Sequence, residues 1–309
     1  MLHKSGWKFP FLAAALLSLA SCSQSTTGDI ATPATPDPLA ESADNVRLVG
    51  YNDLQGRTAL MVQAKSDPAN GDWVYVGHHE SFRDGQPLMN PITGQMEYNG
   101  TSILDIADPA HPKLVWEIDM NPPFRGPHTV NPIVYTSVPN IGPSALPRTY
   151  AFIVDEAAGV NDSAPCPNGI RAASYMVDIT TENRPMVVST WQVPVGNFCQ
   201  KGGRFGPHQS ADAVNGKLNR FEDKIAWIAY FNAGVRVVDL SNPFQLQELG
   251  YYLPKTNQNS YSMGDGQPVA IQMNDVDIDH RGLAYASDRV GTGLFVLEYT
   301  GPKPGAAPR

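Results

Sequence analysis

Gly234-Val-Arg-Val-Val-Asp-Leu-Ser-Asn-Pro243, running into Leu246-Gln-Glu-Leu-Gly-Tyr251, is the stretch from which the fold is read. A β-rich run, a short turn of Asp, Asn and Pro, and a second alternating run spell a hairpin. The pattern recurs. Gly100-Thr-Ser-Ile-Leu-Asp-Ile-Ala-Asp-Pro109 runs into Pro112-Lys-Leu-Val-Trp-Glu-Ile118, and Ala173-Ser-Tyr-Met-Val-Asp-Ile179 runs into Arg184-Pro-Met-Val-Val-Ser-Thr-Trp191. Gly293-Leu-Phe-Val-Leu-Glu-Tyr299 closes the series. Recurrence at roughly 60 to 70 residues marks a repeat architecture.

Each repeat extends backwards by two further strands. Ile225-Ala-Trp-Ile-Ala-Tyr-Phe231 precedes the Gly234 copy and Leu283-Ala-Tyr-Ala-Ser-Asp288 precedes Gly293; Thr149–Asp155 and Trp73–Gly77 hold the matching places upstream. Ahead of these lie Gln209–Val214, Val276–Ile278, Thr129–Tyr135 and Ala59–Gln63. Four antiparallel strands per unit make the blade of a β-propeller. The last copy lacks its fourth strand, and Val46-Arg-Leu-Val-Gly-Tyr51 is the match for it, being close to Leu246-Gln-Glu-Leu-Gly-Tyr251. An N-terminal strand in the last blade closes the ring and removes two open sheet edges. The expected fold is therefore all-β: a propeller of four four-stranded antiparallel blades. A degenerate fifth blade within a long loop, a solenoid and a β-sandwich are the alternatives.

Across most of residues 46–300 this pattern resembles the LVIVD-repeat family of exported bacterial proteins. Val237-Val-Asp-Leu-Ser-Asn-Pro243 and Leu104-Asp-Ile-Ala-Asp-Pro109 carry the resemblance, as do Tyr75-Val-Gly-His-His-Glu80 and Asn90-Pro-Ile-Thr-Gly94. It implies the propeller and no particular activity. Related hairpin repeats occur in the selenium-binding protein/methanethiol oxidase group, a propeller associated with copper.

The chain's beginning speaks to location. Lys4 and Lys8 precede an apolar stretch from Phe9 to Ala20, then Leu19-Ala-Ser-Cys22. A charged start, a short apolar run and small residues before a cut describe a secretory signal. Leu19-Ala-Ser-Cys22 resembles the bacterial lipobox, which makes residues 1–21 a lipoprotein signal peptide and Cys22 the lipidated first residue. Ser23 after it suggests, by the same analogy, the outer membrane where a cell has two. Residues 22–44, rich in Ser, Thr, Ala and Pro, cannot bury enough apolar surface to offset their ordering entropy and read as a flexible tether. The propeller then spans 45–301, and 302–309 form a disordered tail.

Gly and Pro at 27 each suit a body of many turns, while a net charge of −8 and the lack of a basic run argue against nucleic acid as a partner. In an exported protein Cys166 and Cys199 are expected to pair, the alternative being two unpaired thiols.

Strand order decides which loops share a face. First strands begin where second strands end, so His78, His79, Glu80, Asp155, Glu156, Asn232 and Asp288 fall at one end of the sheets. His128 and His208, each preceded by Gly-Pro, join them there, as do Asn274 and Asp275. Cys166 and Cys199 lie on this face too, while His111 and His280 fall in turns on the opposite one. Imidazole and carboxylate are ligands for Cu, Fe, Zn or Mn, and a propeller axis brings separate blades together. His79, His128, His208 and Asp275 form the candidate metal set, with His78 as a substitute for His79; Glu80 and Glu156 are candidate bases. Structural polar packing accounts for the same residues equally well. The Asp of each Val-Asp-Leu-like repeat reads as a turn-closing residue. Asp275-Val-Asp-Ile-Asp279 has strand alternation and lacks the glycine of a calcium loop.

No P-loop, nucleophile elbow, His-Glu-x-x-His or Cys-x-x-Cys is present. Two functions follow. One is a lipid-anchored binding module presenting its His- and carboxylate-rich face to a protein, glycan or small molecule. The other is a metal-dependent oxidoreductase, lyase or hydrolase working at that face.

Overall fold

The computed structural model describes residues 37–67, 71–78, 88–89, 94–97, 100–119, 131–135, 148–156, 173–181, 184–211, 224–264 and 266–305. Residues 1–36 lie outside these, and with them the expected signal peptide and Cys22. Among the described residues no helix is long and apolar enough to cross a membrane.

The body is built from antiparallel sheets. In the first sheet β3 (Ala59–Asp67), β4 (Gly71–His78), β7 (Gly100–Asp105) and β8 (Lys113–Asp119) follow in order, with a small hairpin, β5 (Leu88–Met89) and β6 (Met96–Glu97), between its second and third strands. The second holds β9 (Asn131–Tyr135), β10 (Arg148–Val154), β11 (Ser174–Asp178) and β12 (Met186–Trp191). The third holds β13 (Gln209–Ser210), β14 (Ile225–Ala229), β15 (Val235–Asp239) and β16 (Gln247–Pro254). The fourth holds β17 (Met273–Ile278), β18 (Leu283–Asp288) and β19 (Leu294–Tyr299), and its outer strand is β2 (Val46–Asn52). The pairing runs from Leu294↔Asn52 to Tyr299↔Val46, so the N-terminal strand supplies the place left empty at the end of the chain.

Every third-to-fourth strand pair breaks register at the same step of the repeat. The shifts fall at Ile103/Leu104, Met176/Val177, Val237/Val238 and Val296/Leu297. In each case the outer strand carries one extra residue, namely Val115, Val188, Leu249 or Val49. Such a bulge bends its strand and increases the local twist. Val188, Leu249 and Val49 each pack partly buried against a core cluster, which gives the extra residue a reason to be apolar. The turn after the third strand of each of the first three sheets is closed as expected. Asp105 Oδ1 accepts from Ala107 N (2.9 Å), Asp178 Oδ1 from Thr180 N (2.9 Å) and Asp239 Oδ1 from Ser241 N (2.7 Å). An Asp two residues before the amide it caps mimics a backbone turn.

Core clusters join the sheets face to face. Tyr150, Phe152, Met176 and Trp191 of the second sheet pack with Ile228, Tyr230 and Val238 of the third. Trp227, Val235 and Val237 of the third meet Val276, Ala286 and Phe295 of the fourth. Tyr285, Leu294 and Val296 of the fourth meet Val62, Val74 and Leu104 of the first. Trp191 and Trp227 thus pack between sheets; Trp191 sits edge-on to Tyr230 at 5.8 Å.

Polar side chains reinforce the contact of the fourth sheet with the first. Asp275 Oδ2 accepts from Val62 N and Asp277 Oδ2 from Ala64 N, both at 2.7 Å. Alternate amides on the inner edge of β3 are therefore satisfied by alternate carboxylates of β17. This is the use of the Asp275-Val-Asp motif, and it fits strand alternation.

Two domain boundaries need correction. Residues up to Asp44 were expected to be tether, yet β1 (Ala40–Asp44) adds a fifth strand to the third sheet, pairing Ala40 with Pro254 and Asp44 with Tyr251. Lys255 N donates to Leu39 O (2.8 Å) and Tyr252 Oη–H to Asp37 Oδ2 (2.8 Å). The edge of β16 supplies unpaired backbone groups, so a segment without apolar periodicity can still dock. At the other end residues 302–305 are tied down instead of forming part of a disordered tail. Tyr299 Oη–H donates to Pro302 O (2.7 Å), and Gly305 N donates to Asp239 Oδ2 (2.5 Å).

Candidate functional site

The 200–208 loop, between β12 and β13, builds one end of the third sheet. Gly202 and Gly203 have φ of +91° and +65°, a region that side-chain-bearing residues avoid. A Cβ on Gly202 would stand 2.6 Å from Pro268 O, and one on Gly203 would collide with Gln272 Nε2, so the loop lies flat on the 268–272 segment. Arg204 is then fixed by its backbone: Arg204 N donates to Gln272 Oε1 (2.9 Å), and Arg204 O accepts from Asn232 N (3.2 Å). Phe205 stacks on Phe198 at 5.5 Å, and His208 N donates to Ala229 O (2.8 Å).

His208 is buried, and its Nδ1 bonds the backbone carbonyl of Asn274. A carbonyl can only accept, so Nδ1 carries the proton and Nε2 is the face turned to Glu156, 3.5 Å from Oε1. The same Oε1 accepts from Arg204 Nη1 at 2.8 Å. Glu156 and Arg204 keep 16% side-chain exposure each against 5% for His208, so the carboxylate and guanidinium form the solvent edge of the cluster.

Phe231 lies at its centre, with φ of +36° in the turn between β14 and β15. Its backbone cannot relax, because Phe231 N and O are both bonded to Met273, at 3.1 Å each. Around its buried ring stand His208 (5.1 Å), the Arg204 guanidinium (5.5 Å) and the Arg289 guanidinium (5.8 Å). A bulky residue at positive φ costs about 1–3 kcal/mol and is retained where the surroundings over-determine it.

The other expected members of this face have separate partners. Asp275 Oδ2 accepts from Val62 N, as above, and its Oδ1 accepts from Val276 N (2.8 Å). Asp288 holds the amides of Gln272 (2.5 Å), Val290 (2.8 Å) and Thr292 (3.1 Å). Burial nonetheless pushes its carboxyl upward. His78 bonds Thr58 O through Nδ1 (3.0 Å) and Ser102 Oγ through Nε2 (2.6 Å). Burial lowers its pKa from 6.5 to about 4, assisted by the Arg57 charge and opposed by the Thr58 bond. His111 and His280 are exposed turn residues beside Asp108 and Asp72.

His79, Glu80, His128 and Cys166 lie outside the described residues, and Cys199 is half-buried. The structure therefore brings together His208 and Glu156 of the expected set. Among the described residues no three His, Cys, Asp or Glu side chains converge as a metal cluster. Arg204, Phe231, Gln272 and Arg289 were not anticipated. Of these, Arg204 alone sits in a marked stretch, the glycine-rich run Lys201-Gly-Gly-Arg-Phe-Gly-Pro-His208.

Residues 97–119 and 223–253 match the LVIVD repeat, so the chain carries LVIVD repeats in its first and third sheets. No curated protein matches the sequence. Among solved structures the chain is similar to Zg3597, a family 117 glycoside hydrolase from the marine bacterium Zobellia galactanivorans. Identity is 10% over 82% of this chain and 73% of that one, with a TM-score of 0.21. It is also similar to the soluble aldose sugar dehydrogenase from Escherichia coli in its apo form, with 10% identity over 84% of this chain and all of that one, TM-score 0.23. At these scores neither likeness bears on activity.

Proposed function

We propose that this chain is a lipid-anchored, extracytoplasmic β-propeller of four blades, acting as a binding module through the face that carries His208. Residues 1–21 are its signal peptide, Cys22 its lipidated residue, and the segment between Cys22 and Asp37 its tether. Four sheets in chain order, with β2 in the last, support a closed ring. Its partners are the membrane, through the anchor, and a protein, glycan or small molecule at the open face.

The observation that carries the binding reading is Phe231. A strained aromatic residue, pinned on both backbone sides and ringed by His208, Arg204 and Arg289, is more organisation than hydrophobic packing requires. Strain and buried charge of this kind gather at ligand sites.

The alternative, a metal-dependent enzyme, draws on one observation. Nδ1 of His208 donates to a backbone carbonyl, which is how a metal-bound or proton-accepting imidazole is usually oriented. His79 and His128 would complete a Cu, Fe or Zn site, with Glu80 or Glu156 as base. The guanidinium of Arg204 weighs against it, because it lies 2.8 Å from the Glu156 oxygen that a cation beside His208 would use.

Two measurements test the proposal. Cys22→Ser should move the chain out of the detergent phase on partitioning; unchanged partitioning refutes the anchor. Native mass spectrometry of the full chain from its own envelope should show a bound organic mass that Arg204→Gln loses and His280→Ala keeps. Stoichiometric transition metal lost on His208→Ala would replace the binding module by the enzyme.

A further inference from the structure

On the outer flank of the same face, a cavity of about 260 Å³ opens between β1, the 200–204 loop and the connection from β16 to β17. Val269 and Ile271 form its apolar wall, and Val269 stays 48% exposed although it is a large hydrophobic residue. Its polar wall alternates in charge. Lys201 Nζ bonds Glu41 Oε1 at 2.5 Å, and Lys255, whose Nζ donates to Pro38 O (3.3 Å), stands beside them.

Asn232 completes the lining. It is 1% exposed and donates through Nδ2 to Phe198 O (2.9 Å) and Gly202 O (2.8 Å). Its Oδ1 is buried and receives no hydrogen bond from the described residues. A buried acceptor without a donor is destabilising and calls for an explanation.

We propose that this cavity binds a free α-amino acid with a medium-sized apolar side chain. A singly charged ligand would face one like charge in the Lys201–Glu41 pair, whereas a zwitterion meets both members with opposite charge. Its carboxylate goes to Lys201 and Lys255, its ammonium to Glu41, and its side chain to Val269 and Ile271. The volume lies just below the range of about 300–1,000 Å³ typical of drug-sized ligands, which suits a small metabolite. Because Glu41 lies on β1 and Lys255 reaches Pro38, an occupied cavity also holds the first strand in place. The inference rests on the reading of this face as a ligand-binding surface.

Calorimetric titration of the full chain with L-leucine, L-valine and L-methionine tests it. The controls are 4-methylpentanoate, which lacks the ammonium of leucine, and 3-methylbutylamine, which lacks the carboxylate. At least one amino acid should bind, with each singly charged analogue weaker by tenfold or more, about 1.4 kcal/mol. Lys255→Met, an exposed change that gives up one bond to Pro38 O, should reduce the preference for leucine over 3-methylbutylamine. Glu41→Gln should erase its preference over 4-methylpentanoate. Amide exchange across Ala40–Asp44 should slow on binding. Failure of all three amino acids to bind at about 10 mM, or undiminished binding by both variants, overturns the proposal. Binding that survives Lys255→Met but is lost on Arg204→Gln also overturns it, moving the ligand to the His208 cluster and leaving the binding-module reading intact.

Discussion

Acidification should destabilise this protein through His78. Its Nδ1 donates to Thr58 O and its Nε2 accepts from Ser102 Oγ, so the neutral imidazole is fully bonded. A second proton would convert Nε2 into a donor within a buried site that already feels the Arg57 charge. Above pH 6.5 the imidazole is neutral in the folded and unfolded chain alike, and its contribution is constant. Below 6.5 the unfolded chain takes up a proton that the folded one refuses until pH is about 4. Stability therefore falls with pH at up to about 1.4 kcal/mol per pH step, a total of about 3 kcal/mol, and levels off below pH 4. The assay is urea unfolding of the wild type and of His78→Asn between pH 7 and 4.5, a window above most carboxylate titrations. Asn can still donate to Thr58 O but does not titrate. The variant should be less stable at pH 7 and should lose much of the pH slope, so the two stabilities converge as pH falls. Parallel curves for the two proteins would refute the reasoning.

Phe231 gives a test of sign. Phe231→Ala and Phe231→Gly both remove the ring, at about 3–5 kcal/mol, but glycine relieves the positive φ, so the Gly variant should be the more stable by about 0.5–1 kcal/mol. Ala above Gly in denaturation midpoint would show that the conformation is unstrained. Asp239→Ala should cost about 2 kcal/mol, because Asp239 holds both Ser241 N and Gly305 N, whereas Asp105→Ala, losing one exposed turn bond, should cost under about 1 kcal/mol; equal losses in thermal unfolding would contradict this. A Cys166–Cys199 bridge is expected to stabilise the folded chain by about 2–4 kcal/mol and to yield a linked peptide from non-reduced protein. Alkylation of both thiols in the native state would rule the bridge out.

Much of the fold is legible in the sequence, because sheet structure here is written locally. Alternation with period two, and Asp-closed turns such as Asp239-Leu-Ser241, predict each hairpin without distant information. The kinship of Val46–Tyr51 with Leu246–Tyr251 even predicts a pairing between opposite ends of the chain. The bulge repeated at Val49, Val115, Val188 and Leu249 is not legible, because a single-residue slip in register is decided by packing across strands. Nor is β1, which backbone hydrogen bonds to the edge of β16 hold without any apolar periodicity of its own.

The candidate site divides in the same way. Gly206-Pro207-His208 announces a histidine at the start of a strand, and strand order places it at the same end of the sheets as Glu156. Sequence alone could not assign Asp275, which looks like a ligand by position and by residue type. Its two oxygens are claimed by Val276 N and by Val62 N, an amide 213 residues away. Likewise the role of Phe231 depends on a backbone held at φ +36° by Met273, and on Arg204 and Arg289 arriving from two different sheets' loops. Sequence determines what each segment can form, because propensity, periodicity and turn chemistry act between near neighbours. Which polar groups remain for chemistry is decided only after the sheets pack, since a carboxylate or imidazole is committed by the partners that burial brings to it.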